Sequence, residues 1–466
     1  MMQGRRQQAA GSRQQTASQI SREKAQKSQK KFLLFLFVFF APLCGYFFLD
    51  SSAEAQTAET YAIRNARIVT VTGPVIENGT VVIANGKIAA VGQNVAAPSG
   101  AKVIDGKGLS VYPGLIDSGT TLGLEEIGSV AGSMDVAEIG DNNANIRADV
   151  AVHPDSSHIN VARANGITTA LTEPRGGAIA GQSALINLDG WTPKEMTFKA
   201  PVAMHINWPG AAATSFDPAT FQPTRRSVAE ARREQEKQID TLKKILRDAR
   251  AYGDAMDARA KDPSLPKGAT DLRLAALVPV VRGQMPVVIL ANDERDIKGA
   301  IAFADEMKIK MILSGGAEAY KVADQLKAKN IPVLVGPVLR MPSEEDAPYD
   351  ESYANAGLLA KAGVRIAFQT LDSADVRNLP YHAGMSAAYG LPKEEALKAV
   401  TIYPAEIFGV ADRIGSIEQG KVANLIVTTG DPLEIVTQVK YMFINGRQVP
   451  LTSRHTELYE RYKARP

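Results

Sequence analysis

The stretch Val111–Gly123 reads VYPGLIDSGTTLG and stands at the seam between two kinds of pattern. On its N-terminal side, residues 59–112 read as short strands. YAIRNARIVTV alternates and is β-branched, and TVVIANGKIAAVG sets Asn85-Gly86 between two apolar runs. An Asn-Gly pair in that setting predicts a tight hairpin, because both central residues of a type I′ turn need positive φ. The pattern returns near the C-terminus in NLIVTTGDP and in KYMFINGRQV, which carries Asn445-Gly446. Strands at both ends, with a different pattern between them, predict one small β-sandwich built from the two termini.

On the C-terminal side of the seam, strands and helices alternate, as in parallel α/β folds. The apolar strand candidates are ITTALT, PVAMHI, PVVIL, KMILS, PVLVG and VRIAF, with helix candidates such as Asp296–Met307 and Ala317–Lys329 between them. Thr224–Ala260 is charge-rich with Ile239, Leu242, Ile245 and Leu246 on one face, which predicts an amphipathic helix with a solvated outer side. Asp293, Glu294 and Asp296 read as a helix start, where acids favour the dipole.

Pro113-Gly114-Leu115-Ile116-Asp117-Ser118 resembles the strand that opens the barrel of the metal-dependent amidohydrolase superfamily, in its imidazolonepropionase-like branch. HPDSSHINVARANGITTALTEPRGG, AGQSALINLDGW, PVVILANDERDI, LSGGAEAYKVADQL and AVTIYPAEIFGVADRIGSIEQGKVANLIV are similar to that branch in the same order. In the last, Asn424 stands where the family usually has Asp. The resemblance covers nearly all of residues 59–450. It implies an α/β fold, a (β/α)8 TIM-type barrel with a small β-sandwich domain formed by both termini. The divisions it suggests are 59–112 and 416–450 for the sandwich, 113–415 for the barrel and 451–466 for a tail.

The resemblance also implies chemistry. Family hydrolases act on carbon-nitrogen bonds other than ordinary peptide bonds, in cyclic amides or dipeptide-like compounds, through a divalent metal that lowers the pKa of its bound water to roughly 7. The opening strand normally supplies two histidines, two later strands one each, and the last an Asp. Here those positions match Gly119, Thr121, Leu290, Gly315 and Leu371. Glycine and leucine side chains cannot ligate, and threonine is a poor substitute for imidazole. No family-type metal is therefore expected. Zinc or another divalent ion would bind only at a rebuilt site. Two readings stay open: a hydrolase with a divergent site, or a non-catalytic ligand-binding protein or partner of a metal-bearing paralogue.

Candidate catalytic residues for the first reading are His205 at the end of PVAMHI, His382 after the last strand candidate, and Asp372, one residue beyond the family Asp position. Each also reads as a loop-fixing or surface residue. His153 and His158 lie in a polar loop, His455 lies in the tail, and Glu125 and Glu126 follow the first strand. The loop Glu173–Ser183, EPRGGAIAGQS, is expected at the C-terminal mouth of the barrel. Arg175 could pair there with a substrate carboxylate, with Gly176, Gly177 and Gln182 beside it. The alternative is a plain turn with a solvated arginine. GQSAL lacks the spacing of a nucleophile elbow.

The formal net charge is +3, yet residues 1–55 alone carry +5, which leaves −2 for the rest. Such a balance offers no electrostatic case for nucleic-acid binding. Residues 1–55 read as a signal peptide or membrane anchor: a basic stretch ending in Lys30-Lys31, an apolar run Phe32–Leu49, then Ala53-Glu54-Ala55 as a small-x-small cleavage pattern. Pro42 and Gly45 in the run favour cleavage, while its length approaches the ~20 residues of a span. Cys44, the single cysteine, lies in that run. The expectation is an exported protein, periplasmic or tethered facing the periplasm, touching membrane only through this segment. Its partner is a small-molecule ligand, with homo-oligomerisation or pairing to a paralogous amidohydrolase open.

Overall fold

The computed structural model describes residues 59–211, 226–342 and 347–465, with the backbone of a short hairpin between the first two ranges. The export-signal reading of residues 1–55 lies outside the described residues. Among the described residues no helix is long and apolar enough to cross a membrane.

Five strands open the described chain: β1 (Tyr61–Ile68), β2 (Ile76–Ala84), β3 (Lys87–Gly92), β4 (Lys102–Asp105) and β5 (Ser110–Pro113). Then come β6 (Leu115–Thr120), β7 (Ile167–Thr172), β8 (Ile179–Gln182), β9 (Ala184–Asn187), β10 (Thr197–Lys199) and β11 (Met204–Asn207). The hairpin β12 (Thr214–Phe216) and β13 (Pro223–Arg225) follows, then β14 (Val287–Ala291), β15 (Met311–Gly315), β16 (Val333–Val335) and β17 (Ile366–Phe368). The last are β18 (Leu425–Thr428), β19 (Val439–Ile444) and β20 (Arg447–Val449).

The two chain ends share one sheet, ordered β20-β19-β18-β5-β1-β2-β3, with β4 also on β1. Asn85 (φ 53°) with Gly86, and Asn445 (φ 50°) with Gly446, turn its two hairpins in the left-handed region that Asn and Gly tolerate. Ile63, Ile83, Val111, Leu425 and Phe443 form a core of their own there. Tyr61 packs edge-on against Phe443, with centroids 5.0 Å apart.

The seam residue Pro113 ends β5, and Leu115 opens β6 in a different sheet. β6 and β7 are parallel, as are β11, β14, β15, β16 and β17 in that order. Between the two parallel runs lies an antiparallel insert. β9 pairs with β7, and β8 pairs with β11. Only Ser183 separates β8 from β9, and its N–H donates to the Ala203 carbonyl (3.0 Å). Sequence reading left AIAGQ inside a loop. It is a strand because β11 offers it an open edge, while the next strand, β9, takes the edge of β7.

Strand alternation sorts the side chains. Ile116, Leu171, Ala203, Val288, Ile312, Leu334 and Ala367, from or adjoining seven parallel strands, converge in one buried cluster. Two residues further along five of these strands, the same face carries Glu173, His205, Leu290, Ser314 and Gln369. An apolar floor is thus topped by a mostly polar layer at the strands' C-terminal ends.

The long helix runs Val228–Lys261, later than periodicity alone predicts at Thr224. Ser227 and Glu230 form a capping box that fixes its start. The helix at Glu294–Met307 has Asp293 as its N-cap, but the Glu294 N–H donates to Glu318 Oε2 (2.7 Å) instead. The segment expected as one helix over Ala317–Lys329 is a 3₁₀ turn, Ala319–Val322, followed by a helix, Ala323–Ala328.

Candidate functional site

A cavity of about 280 Å3 opens above the polar layer, lined by Glu173, Arg175, His205, Asn207, Ser314 and an apolar wall that includes Leu290. This is near the small end of the ~300–1,000 Å3 typical of ligand sites. His205 is placed by register: on β11 it lies opposite Gly181 of β8 and Val288 of β14. Gly181 has no side chain to compete for that space. Glu173 follows the last residue of β7, and its N–H donates to the Thr120 carbonyl (2.9 Å).

Glu173 and His205 are 5% and 6% exposed, which decides their charge. Burial pushes the Glu173 carboxyl up to about 8; Arg175 opposes that rise, and nearby Asp117 adds to it. Burial, with the Arg175 charge, pushes the His205 imidazole down to about 3. Both groups are therefore neutral near pH 7. Their approach, Nδ1 to Oε2 at 3.4 Å, is not an ion pair, and its alignment does not make a hydrogen bond. Glu173 Oε2 and His205 Nε2 are left buried without a partner.

Behind them, Asp117 of β6 is wholly buried, and burial raises it to about 7. Thr370 donates to it from its hydroxyl (2.6 Å) and its backbone N–H (3.2 Å), and the Gly119 N–H donates at 3.1 Å. Gln369 is buried and fastened: its Nε2 donates to the Leu334 carbonyl (2.8 Å) and to Ser314 Oγ (3.0 Å). Neither Glu173, Asp117 nor Gln369 was singled out from sequence. The two-residue step along each strand past its last apolar inward residue could have found Glu173 and Gln369.

The space around the glycines is full. A Cβ on Gly119 would lie 2.6 Å from Gln369 Oε1 and 3.1 Å from Glu173 Oε2. A Cβ on Gly315 would lie 2.5 Å from Asn292 Oδ1, and its φ of +84° suits glycine. Thr121 is buried and donates to Glu125 Oε2 (3.2 Å). Among the described residues no three His, Cys, Asp or Glu side chains gather so as to hold a metal ion.

The other sequence candidates are dispersed. Arg175 lines the cavity, and its guanidinium donates to the Leu371 carbonyl. His382 lies outside the lining residues. It accepts from the Val338 N–H at Nδ1 (3.4 Å), and burial holds it down at about 4. Asp372 is exposed and caps the turn after it, accepting from the Ala374 (2.7 Å) and Asp375 (3.0 Å) N–H groups. Leu371 adopts φ 57°, so the strand's alternation has ended before Asp372. Gly176, Gly177 and Gln182 secure the rim. The Gly177 carbonyl accepts from Asn207 Nδ2 (2.8 Å), Gln182 Nε2 donates to the Ala144 carbonyl (2.9 Å), and Ala137 bridges to Arg175. Glu126 accepts from Ser156 Oγ (2.6 Å) and the Ser157 N–H (3.0 Å), tying the first loop to the helix start at Ser157.

The architecture is a mixed α/β fold with a polar pocket at the ends of parallel strands. Residues 293–449 match the sequence profile of the amidohydrolase family. The imidazolonepropionase of Thermoplasma volcanium is 25% identical over 402 residues, 80% of this chain and 91% of that protein. Amidohydrolase tasK of Hapsidospora irregularis is 24% identical over 417 residues, 79% of this chain; the match spans 39% of that protein's length. The crystal structure of an amidohydrolase from Thermotoga maritima MSB8 superposes with a TM-score of 0.73 at 26% identity, covering 84% of this chain and all of that one. The family match, these relatives and this neighbour together support the amidohydrolase superfamily and, within it, the imidazolonepropionase-like branch.

Proposed function

We propose that the parallel strands and the β8–β9 insert form a (β/α)8-type barrel, capped by a β-sandwich of the two termini, and that its mouth binds a small molecule without the family's metal. The ligand class is that of family hydrolases: a cyclic amide or dipeptide-like compound with a carbon-nitrogen bond. The carrying observation is how the expected ligand positions are built. Gly119, Leu290, Gly315 and Leu371 offer no donor, and the Thr121 hydroxyl is engaged with Glu125. Gln369 and Asn292 crowd where side chains on the two glycines would go. A metal-activated water has no support in this donor set, so the pocket works through Arg175, Glu173 and His205.

Metal analysis of the purified full chain, with turnover of a lactam and dipeptide panel, tests this. The expected result is far less than one metal per chain and no chelator-sensitive turnover. One tightly held divalent ion per chain, with activity lost on chelation, overturns it. A second reading, metal-free hydrolysis, is favoured by one observation: Glu173 is a neutral acid at pH 7 beside an uncharged imidazole. Turnover that survives chelation and disappears in Glu173→Gln would select it. Export through residues 1–55 belongs to the same proposal, and the mass of the mature chain from the periplasmic fraction tests it. So does pairing with a metal-bearing relative, which co-purification of the two chains tests.

A further inference from the structure

A second cavity, of about 310 Å3, lies at the opposite end of the parallel strands from the polar pocket. Its lining includes Ile331, which leads into β16, and Arg365 and Ile366, where β17 begins. Three helices help to close it: Ala323–Ala328 with Lys327, Lys393–Lys398 with Glu395, and Ile402–Ile407 with Tyr403. The Arg365 guanidinium stacks on the Tyr403 ring, 3.8 Å from its centroid. Stacking fixes the plane of the fork and leaves its N–H edges for other partners. Among the described residues that guanidinium donates no hydrogen bond, and Glu406 Oε2 stands 3.5 Å from it. Gly363 makes room for Lys327: its φ of +79° suits glycine, and a Cβ there would lie 3.2 Å from Lys327 Nζ. The ammonium therefore sits beside the backbone two residues before Arg365. Lys321 and Lys329 pair with Glu318 and Asp305, whereas Lys327 has no ion-pair partner among the described residues. Glu395 does not supply one. Its Oε2 accepts from the Tyr403 hydroxyl (2.7 Å) and its Oε1 from Lys398 Nζ (3.0 Å). Burial alone would raise this carboxyl, but those two bonds hold it below the usual carboxylate range. Set against each other, Lys327, Arg365 and Lys398 outnumber Glu395 and Glu406 by one positive charge.

We infer that this cavity is a second binding site, for a phosphate monoester of a small molecule: the phosphoryl oxygens meet the Lys327 ammonium and the Arg365 fork, and the rest of the ligand lies on Leu326, Ile331 and Ile366. An ammonium brings three donors and a guanidinium a planar pair. The three terminal oxygens of a phosphoryl group match both together, where the two oxygens of a carboxylate are already satisfied by the fork. A cation near a helix C-terminus also favours the helix dipole. That accounts for a basic residue at Lys327, but not for an unfilled fork beside it. The site lies apart from the barrel mouth, so it stands or falls independently of the metal-free reading.

Calorimetry on the full chain tests it, at a constant ionic strength set with chloride. The probes are inorganic phosphate and glycerol phosphate, with acetate and glycerol for comparison. At least one phosphate probe is expected to bind saturably, and acetate to bind about tenfold or more weaker, the scale of one lost charge-assisted contact. Lys327→Met and Arg365→Met should each weaken phosphate binding about tenfold or more. Lys327→Arg should keep most of the affinity, and thermal melts check that the variants fold. Lys327 is exposed, so Lys327→Met keeps the test decisive even where Arg365→Met does not fold. Arg175→Met, at the barrel mouth, should leave phosphate binding unchanged. Four results overturn the inference: no saturable binding by either phosphate probe, an unchanged Lys327→Met, acetate binding as tightly as phosphate, or binding lost in Arg175→Met. The last would place the anion at the barrel mouth instead.

Discussion

Among the described residues, two of the clusters of buried polar side chains are finished differently. In the first, Asn424 Nδ2 donates to Asn187 Oδ1 (2.9 Å) and Thr169 Oγ1 (3.2 Å), while Asn424 Oδ1 accepts from the Asn445 N–H (2.9 Å). Asn187 Nδ2 in turn donates to Asn445 Oδ1 (3.1 Å). That network joins the terminal sheet to β7 and β9, and none of its atoms is orphaned. In the second, Asp117, Glu173, His205, Ser314 and Gln369 crowd the strand ends, and Glu173 Oε2 and His205 Nε2 have no partner. A closed network specifies a junction, because each member's alternatives are worse. An open one beside a cavity has bonding capacity left for something else. Exchanging the family's Asp for Asn424 suits the closed cluster, since a carboxamide both donates and accepts where a carboxylate only accepts.

Breaking the closed cluster should cost most. Asn424→Ala strands the Asn445 N–H, at ~1–3 kcal/mol for an unsatisfied group, and removes one of two bonds to Asn187 Oδ1, which keeps the Thr169 hydroxyl (3.2 Å), at about 1 kcal/mol, so a loss of about 3 kcal/mol is expected from urea unfolding. A loss below about 1 kcal/mol, the net value of one ordinary hydrogen bond, would show that the junction is not held this way. Next comes Gly119→Ala, whose methyl would meet Gln369 Oε1 at 2.6 Å. Overpacking of this kind typically costs about 1–3 kcal/mol. The double variant with Gln369→Ala should recover part of that loss, and strict additivity would show that the two sites do not share the space.

The open cluster should show itself through pH. Asp117 and Glu173 have folded pKa values raised to about 7 and about 8, above ordinary carboxyl values of 3.8 and 4.5. Their contribution is fully present below those ordinary values and is lost as pH rises through about 7 and 8. His205 and His382 are depressed to about 3 and about 4 from 6.5, so they add stability above 6.5 and lose it as pH falls. Between pH about 6.5 and about 8 only the acids act, and the melting temperature should fall. Glu173→Gln should flatten that fall, and an unchanged slope would place the proton elsewhere. Smallest is Asp372→Ala, which removes an exposed cap for about 1 kcal/mol and should leave ligand binding untouched.

The terminal sheet was legible because its signals are local. Asn85-Gly86 and Asn445-Gly446 need only their own φ values to make a turn. The parallel strands were legible as apolar runs, with His205 at the end of one and Arg175 just beyond another. The β8–β9 insert was not, since AIAGQS carries no period of its own and becomes strand only against the edge of β11. Glu173 read as part of a glycine-rich loop, and Gln369 as an unremarked residue after VRIAF. Asp372 read as a near-ligand because spacing cannot show that Leu371 has already left the strand.

Sequence alone carried the resemblance to the superfamily, the two kinds of sheet and the side chains present at the expected metal positions. These follow from residue identity, turn chemistry and periodicity, which act over a few neighbours. Tertiary structure decided what packs around those positions. Gln369 and Glu173 come to Gly119, and Asn292 to Gly315, by way of strands far apart in the chain. It also decided the charge of the pocket, because burial depends on packing from every side, and it is burial that keeps the proton on Glu173 and off His205.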